Sequence, residues 1–360
     1  MLDDRPTGHP QPAAGAPGEA WFAGRRARGV LERVDVVAEP ERLATPGWWA
    51  VVGTFEGTVT AWRFAQVAPD DGADGRRWTG PATDSWRTSL DRAAYVAAVA
   101  RIRDDIREGR VYQANLCRVL AAPLPAEGGE PDARALHERL VAGNPAPFAG
   151  GVHVPGEAWV VTASPELFLR VEGDVVTSGP IKGTAPTAAG LSAKDRAENV
   201  MITDLVRNDL QRVCAPGTVE VTALLAQEQH PGLVHLVSTV RGTLADAASP
   251  VLWRHLLAAT YPPGSVSGAP KSSALDVIAE LEPVARGPYC GAVGWIQVTA
   301  DGTVRAELAV GIRTFWWTPD AGGTLRFGTG AGITWQSDPE GEWAETELKA
   351  ARLVGLASSR

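Results

Sequence analysis

Apolar positions along the chain follow two periods, and the switches between them outline the fold. Between residues 20 and 80, apolar stretches such as "WWAVVGTF" and "GTVTAWRF" are separated by glycine turns and predict strands. The polar loop "PDDGADGRRWTG" (69–80) ends that part. The period then changes. Tyr95, Val99, Ile102 and Ile106 recur at i, i+4, i+7 and i+11, one face of a helix opened by Ser89 as N-cap and closed by Gly109. "VYQANLCRVLA" (111–121) predicts a strand with alternating apolar positions, and residues 133–142 a short helix. "AWVVTAS" and "ELFLRVEGDVVTSG" predict strands, with a hairpin turn at Glu172–Asp174. Residues 192–214 predict a helix capped by Ser192, with Val200 or Met201, Leu205 and Leu210 as its buried face. "APGTVEVTAL" returns to strand. Helices are expected near 250–260, 269–281 and 343–356, and glycine-rich strands at 290–298, 304–315 and 324–334.

Strands come in runs and share the chain with helices in no strict βαβ rhythm. That order predicts an α+β fold with mainly antiparallel sheet. Residues 1–18, rich in Pro, Gly and acids, are expected to be a disordered tail. Residues 19–84 form a β-rich N-terminal part. No composition break divides 85–360, which is expected to be one catalytic region.

Composition narrows the function. The chain has 360 residues, 44% hydrophobic and 21% charged, enough for a large core. Its formal net charge of −8 argues against a general nucleic-acid surface, though a local site can still take an anion. Three well-separated cysteines, Cys117, Cys214 and Cys290, give neither a zinc spacing nor a disulfide framework and fit a reducing cytoplasm. The N-terminus lacks the apolar core of a secretory signal, and no run approaches 18 consecutive apolar residues. The expected location is therefore cytoplasmic, with no membrane span.

Several residues are candidates for chemistry. Asp195 and Glu198 stand three apart on a predicted helix, and Glu342 and Glu345 repeat the spacing on the last one. Two such pairs are either solvated helix faces or the oxygen ligands of a hard cation such as Mg²⁺. "PPGSVSGAP" and "GTGAGIT" are ordinary turns or places where backbone N–H groups meet a carboxylate; neither matches a nucleotide-binding fingerprint. Glu166, after Pro165 and among apolar neighbours, is a strand-edge acid or a proton donor with a raised pKa. Arg313 is a strand-surface cation or a carboxylate clamp. His235, in the apolar run "LVHLVSTV", is a satisfied core residue or part of a site. Lys182 is a lone cation in the small-residue loop "SGPIKGTAPT".

Taken in order, the strings "VYQANL", "SPELFL", "PIKGTAP", "KDRAENVMITDLVRNDLQRVC", "HLVSTVRG", "PPGSVSGAPKSSALDVIAELEP", "RGPYCGAVGWI", "GIRTF" and "GAGITWQSDPEGEWAETELKA" resemble the chorismate-binding enzymes. That superfamily holds the large components of anthranilate and aminodeoxychorismate synthases and the isochorismate and salicylate synthases. The resemblance covers about residues 85–356 and is looser before them. It implies a large domain of two face-packed, mainly antiparallel sheets flanked by helices. It implies Mg²⁺ held by Glu198, Glu342 and Glu345 with Asp195 nearby, and a chorismate carboxylate met by Arg313, Tyr289 and the Gly330–Gly332 backbone. Lys349 and Thr184 join that substrate-binding set, and His235 is implied to orient the substrate.

Within the superfamily, "PIKGT" rather than "PIAGT" resembles aminodeoxychorismate synthase. The resemblance implies that Lys182, neutral when it attacks, adds to C2 of chorismate while Glu166 protonates the departing C4 hydroxyl. Ammonia then enters at C4, giving 4-amino-4-deoxychorismate for 4-aminobenzoate and folate or for a secondary-metabolite route. Ammonia is implied to come from a separate glutamine amidotransferase component, since no such segment is recognised in this chain. Two departures stand out. The loop continues "TAPT" where many aminodeoxychorismate synthases carry "TRPR", and Gln113 stands where hydroxylating members carry a lysine base. The runner-up is anthranilate synthase component I; less favoured are an isochorismate or salicylate synthase and a non-catalytic chorismate-binding subunit.

Overall fold

The computed structural model describes residues 15–72, 75–126, 128–185, 187–230 and 233–359. The expected tail lies outside the described residues up to 14; of its last residues, 16–18 belong to strand β1, which begins at Ala16. The N-terminal strands are β1 (Ala16–Phe22), β2 (Arg25–Asp35), β3 (Gly47–Gly53) and β4 (Val59–Pro69). The short β5 (Arg87–Thr88), helix α1 (Arg92–Arg107), β6 (Gln113–Pro123) and helix α2 (Ala133–Gly143) follow. Next come β7 (Phe148–Val154), β8 (Ala158–Ser164), β9 (Leu167–Glu172), β10 (Val175–Gly179) and β11 (Ile181–Ala185). Helix α3 (Ala193–Gln211) leads to β12 (Glu220–His230) and β13 (Leu233–Thr243). Helix α4 (Leu252–Thr260), the two-residue β14 (Gly268–Ala269) and helix α5 (Lys271–Leu281) precede β15 (Ala292–Val298), β16 (Val304–Val310) and β17 (Thr314–Thr318). Strand β18 (Thr324–Ile333) and helix α6 (Pro339–Ala357) complete the chain.

All pairings between these strands are antiparallel and join them into one ribbon. From β3 one limb runs through β15, β16, β9 and β10 to β13, which also carries β11 and β12. The other limb runs through β4, β2, β1, β7, β8, β17 and β18 to β6, which also carries β5 and β14. The limbs lie face to face: β7 contacts β3 and β15 without pairing to them. Val51, Ile296, Leu308, Leu169 and Val240 from the first limb share one core with Val152, Val160 and Cys117 from the second. Each such aliphatic side chain gains about 1.5–3 kcal/mol on full transfer from water. The fold is thus the expected α+β arrangement of face-packed antiparallel sheet with flanking helices.

Helices cover the second limb from outside. Leu136 and Leu140 of α2 and Leu353 of α6 pack on Trp159, Phe315 and Phe327. Tyr95, Val99 and Ile102 of α1 and Ala274 and Val277 of α5 pack on Leu116 and Ile333. Strand β6 is therefore covered on both faces and is buried at every position from Gln113 to Val119, not at alternating ones.

Other expectations need correction. Helix α1 is capped by Asp91, whose side chain accepts from Ala94 N, and not by Ser89, whose hydroxyl accepts from Val119 N instead. The strand expected over 304–315 is interrupted at Gly311–Arg313, where Arg313 has φ +53°. Val200 is exposed. The buried row of α3 is Asn199, Ile202, Thr203, Val206, Asp209 and Leu210. Three of those residues are polar, and two of them tie the helix to its neighbours: Asn199 Nδ2 donates to Leu236 O at 2.9 Å, and Lys271 Nζ sits 2.8 Å from Asp209. Among the described residues no helix is long and apolar enough to cross a membrane.

Candidate active site

The two ends of the ribbon meet at Lys182. Strand β11 pairs with β13 in a shifted register, Ile181 opposite Val237 and Thr184 opposite His235, so the chain bulges at Lys182–Gly183. Gly183 has φ +84°, and a Cβ there would come within 2.7 Å of Asp195 Cβ. Only glycine meets both conditions, which is why the lysine is followed by one. Lys182 Nζ donates to Ser265 O at 2.8 Å, in the turn "PPGSVSGAP". That turn therefore offers the lysine a backbone acceptor.

The opposite wall is β18 against β6. Gly332 lies opposite Asn115, and Gly330 opposite Cys117. A Cβ on Gly332 would sit 2.2 Å from Gln113 Nε2 and 3.6 Å from Lys182 Nζ. The missing side chain is the space in which the Gln113 amide and the Lys182 amine approach the strand. Gln113 is buried, and its Oε1 has no hydrogen-bond partner. Tyr289 is also buried; its ring covers Gly328, and its hydroxyl lies 3.9 Å from Cys117 Sγ.

Glu166 stands at the start of β9 and is buried. Burial raises its pKa above the usual carboxylate value, against the opposing pull of Ser265, Lys182 and the Ile181 backbone. That is the environment of a proton donor. Arg313, in the break between β16 and β17, has its pKa lowered by burial, and its guanidinium has no hydrogen bond or ion pair among the described residues. A half-buried guanidinium in that state is suited to an incoming carboxylate. His235 is buried on β13 beside this loop. The side chain of Thr184 lies outside the described residues.

The acid pairs converge from two helices. Ser192 caps α3 in a reciprocal box: its hydroxyl accepts from Asp195 N, and Asp195 Oδ2 accepts from Ser192 N and Oγ. One turn on, Glu198 faces Glu342 of α6. Lys194 lies between them, 2.9 Å from Glu342 Oε1 and 3.6 Å from Glu198 Oε1. Burial raises the pKa of Glu198; Lys182 and Lys194 oppose the shift, and Glu342 and Asp195 add to it. Glu198 Oε1 is buried without a hydrogen bond. Partial burial works upward on Glu345 too, but Lys349, 2.7 Å away, with Lys194 and Lys182 holds its carboxyl below the usual value. Lys349 also donates to Gly330 O at 3.0 Å, tying α6 to β18.

Among the described residues no three His, Cys, Asp or Glu side chains form a ready-made metal cage. The chemistry of the donors still fits a hard cation. Carboxylates from two helices face one another, and one of their oxygens is buried without a hydrogen bond. Sequence reasoning gathered Lys182, Glu166, Glu198, Glu342, Glu345, Arg313, Gly332 and Lys349, but it missed three contributors. Ser265 was inside a string already noted, but which carbonyl meets the lysine depends on tertiary structure. Lys194 was legible as the i, i+4 partner of Glu198. Arg118 is buried under α6, donates to Thr346 Oγ1 at 3.0 Å and stacks 4.2 Å over Trp343, which sets the helix that carries Glu342.

A separate apolar cleft of about 620 Å³ opens between the β3–β4 turn, α4 and α5, lined by Phe55, Leu257, Tyr261 and Ile278. It contains none of the residues gathered around Lys182.

Residues 76–355 match the family described as chorismate binding enzyme. The chain is 39% identical over 284 residues to anthranilate synthase component 1 of Streptomyces coelicolor, covering 76% of this chain and 53% of that protein. It is 35% identical over 284 residues to aminodeoxychorismate synthase component 1 of Salmonella typhimurium, covering 76% of this chain and 59% of that one. The chain thus spans little more than half the length of these relatives. Its fold is that of anthranilate synthase component I from Streptococcus pneumoniae, with a TM-score of 0.74 at 22% identity over 98% of this chain and 95% of that one. A 2,3-dihydroxybenzoate-specific isochorismate synthase from Bacillus anthracis gives 0.75 at 23% identity over 96% of each chain. The motifs that meet at Lys182 all fall inside the matched span, and the chain belongs to the chorismate-binding enzymes.

Proposed function

We propose that this chain aminates chorismate at C4, yielding 4-amino-4-deoxychorismate, with Lys182 as nucleophile. The observation that carries this reading is the position of Lys182 Nζ. It reaches out of a glycine-fixed bulge to 3.6 Å from where a Gly332 side chain would begin, within the electrostatic reach of Glu166. An alanine there would leave C2 open to ammonia itself.

The atoms balance as follows. The neutral Lys182 amine forms a bond to C2, and the two conjugated ring double bonds each shift by one position as the C4–O bond breaks. Glu166 gives its proton to the departing oxygen, which leaves as water. Ammonia bonds to C4, both double bonds shift back, and the C2–N bond breaks to return the neutral lysine. The Glu166 carboxylate then takes the extra proton from the new ammonium group. Arg313 and the bare Gly330–Gly332 strand receive a carboxylate of the substrate, while Tyr289 and His235 pack around the site. Glu198, Glu342 and Glu345, with Asp195 beside them, would hold Mg²⁺. When bound, the cation would offset the charge of the dianionic substrate and orient its ring carboxylate. Ammonia would come from a glutamine amidotransferase component.

The second reading is amination at C2 with loss of pyruvate, as in an anthranilate synthase. Sequence favours it at least as strongly, since several anthranilate synthase components stand at 36–39% identity against 35% for the aminodeoxychorismate synthases. Product analysis separates the two. The protein is incubated with chorismate, Mg²⁺ and an ammonium salt, with and without a lyase that converts aminodeoxychorismate to 4-aminobenzoate. A lyase-dependent 4-aminobenzoate signal that disappears in Lys182→Ala is the expected result. Fluorescent anthranilate formed without the lyase would overturn C4 amination, and a Lys182→Ala enzyme that keeps its rate would remove the covalent step.

A further inference from the structure

Three lysines surround the acids, and two are anchored outside the Glu198–Glu342 gap. Lys182 is held by Ser265 O, and Lys349 by Glu345 and Gly330 O. Lys194 differs. Its ammonium lies between carboxylates of two helices, 2.9 Å from Glu342 Oε1, 3.6 Å from Glu198 Oε1 and 3.5 Å from Ser337 Oγ. We propose that Lys194 is a tethered rival of the divalent cation: it neutralises Glu198 and Glu342 itself, must withdraw when the cation takes their oxygens, and so weakens cation binding. This rests on the reading of those acids as a cation site.

The argument is one of space and charge. A small divalent ion binds carboxylate oxygens at about 2.0–2.1 Å. An ion between Glu198 and Glu342 would stand where the Lys194 ammonium now stands, and two cations cannot share that position. Lysine suits the role because its point charge rides on a flexible stem and its donors fix no geometry. The side chain is about one-third exposed, so it has a route to solvent, whereas Glu342 is buried. The arrangement also protects the fold. Without a cation of some kind, two facing carboxylates would be left to repel each other in a partly buried gap. The tethered lysine supplies one until the divalent ion displaces it.

The test is calorimetric titration of the full chain with MgCl₂ at fixed ionic strength, without chorismate, for the wild type, Lys194→Gln, Lys194→Arg and Glu198→Gln. Lys194→Gln should bind Mg²⁺ at least tenfold more tightly than the wild type. Its metal-free thermal midpoint should be lower and its Mg²⁺-induced rise larger. Lys194→Arg, which keeps a tethered cation, should not tighten binding, and Glu198→Gln should bind more weakly than the wild type. Unchanged or weaker affinity in Lys194→Gln, with Glu198→Gln impaired as expected, would overturn the rivalry while leaving the cation site intact. Mg²⁺ binding in none of the proteins, or undiminished binding in Glu198→Gln, would overturn the cation-site reading and the rivalry with it.

Discussion

Two charged clusters sit about β6 and differ in how completely they are satisfied. The first is the pair between Arg286 and Glu282 at the end of α5. Arg286 is fully buried, donates to both carboxylate oxygens at 2.8 and 2.6 Å, and gives two further hydrogens to Val266 O and Asn115 O. Its guanidinium stacks 4.1 Å from the Phe55 ring, and Glu282 accepts from Cys117 N as well. The second is the group around Lys182, where Glu198 Oε1 and Gln113 Oε1 are buried without hydrogen bonds. A buried polar group left unsatisfied costs about 1–3 kcal/mol, so a fold that leaves several in one place is holding them for something else. The closed cluster fits a structural role, and the open one is the candidate site.

The comparison is broken most severely if Glu166 proves dispensable. Glu166→Gln keeps the volume and removes the proton, and kcat for the aminated product should fall by about 10²–10⁴. Stability should respond with the opposite sign. Burial raises the Glu166 pKa in the fold, so the protonated form is favoured there. The stability it contributes is full below the unfolded glutamate pKa of about 4.3 and is lost as pH rises through the raised value. Glu166→Gln should therefore match the wild type in acid and be the more stable protein at pH 8, as read by chemical denaturation. A variant less stable than the wild type at pH 8 would mean that Glu166 belongs with the closed cluster.

The next largest effect is expected at the pair itself. Arg286→Met leaves Glu282 buried without its partner and should cost about 3–5 kcal/mol of stability, read as a lower denaturant midpoint. The loss should be about the same with and without MgCl₂, because the closed cluster takes no part in ion binding. Arg118 on β6 is a mixed case: buried like Arg286, it serves the open site by seating α6.

What the sequence disclosed divides along a similar line. Helices and hairpins were legible because their signals are local. Ser192 and Asp195 sit at capping-box spacing, and Gly173 turns the hairpin between β9 and β10 at φ +64°. Gly183 beside Lys182 announced an unusual backbone. What failed was whatever depends on the other side of the molecule. β6 lost its alternation because α1 and α5 cover one face and the first limb the other. Val200 turned outward because Asn199 finds its partners on β13. The strand over 304–315 broke because Arg313 adopts a positive φ that no local residue type demands. Lys194 was visible four residues before Glu198, but its contact with Glu342 joins positions 148 apart.

The smallest and sharpest probe is Asp195, which belongs to both descriptions. By resemblance it stands near the cation; in the structure its Oδ2 is occupied by the Ser192 N–H and hydroxyl. If its work is the cap, Asp195→Ala should cost about 0.5–2 kcal/mol of stability and leave the affinity for Mg²⁺ within a few-fold of the wild type. Ser192→Ala, which breaks the same box from the other side, should lose a similar amount. A large loss of Mg²⁺ affinity in Asp195→Ala, absent from Ser192→Ala, would place the second oxygen of Asp195 in the ion's surroundings and enlarge the open cluster by one acid. Equal and modest losses in both would assign Asp195 to the frame: it starts α3 at the point that carries Glu198 to Glu342.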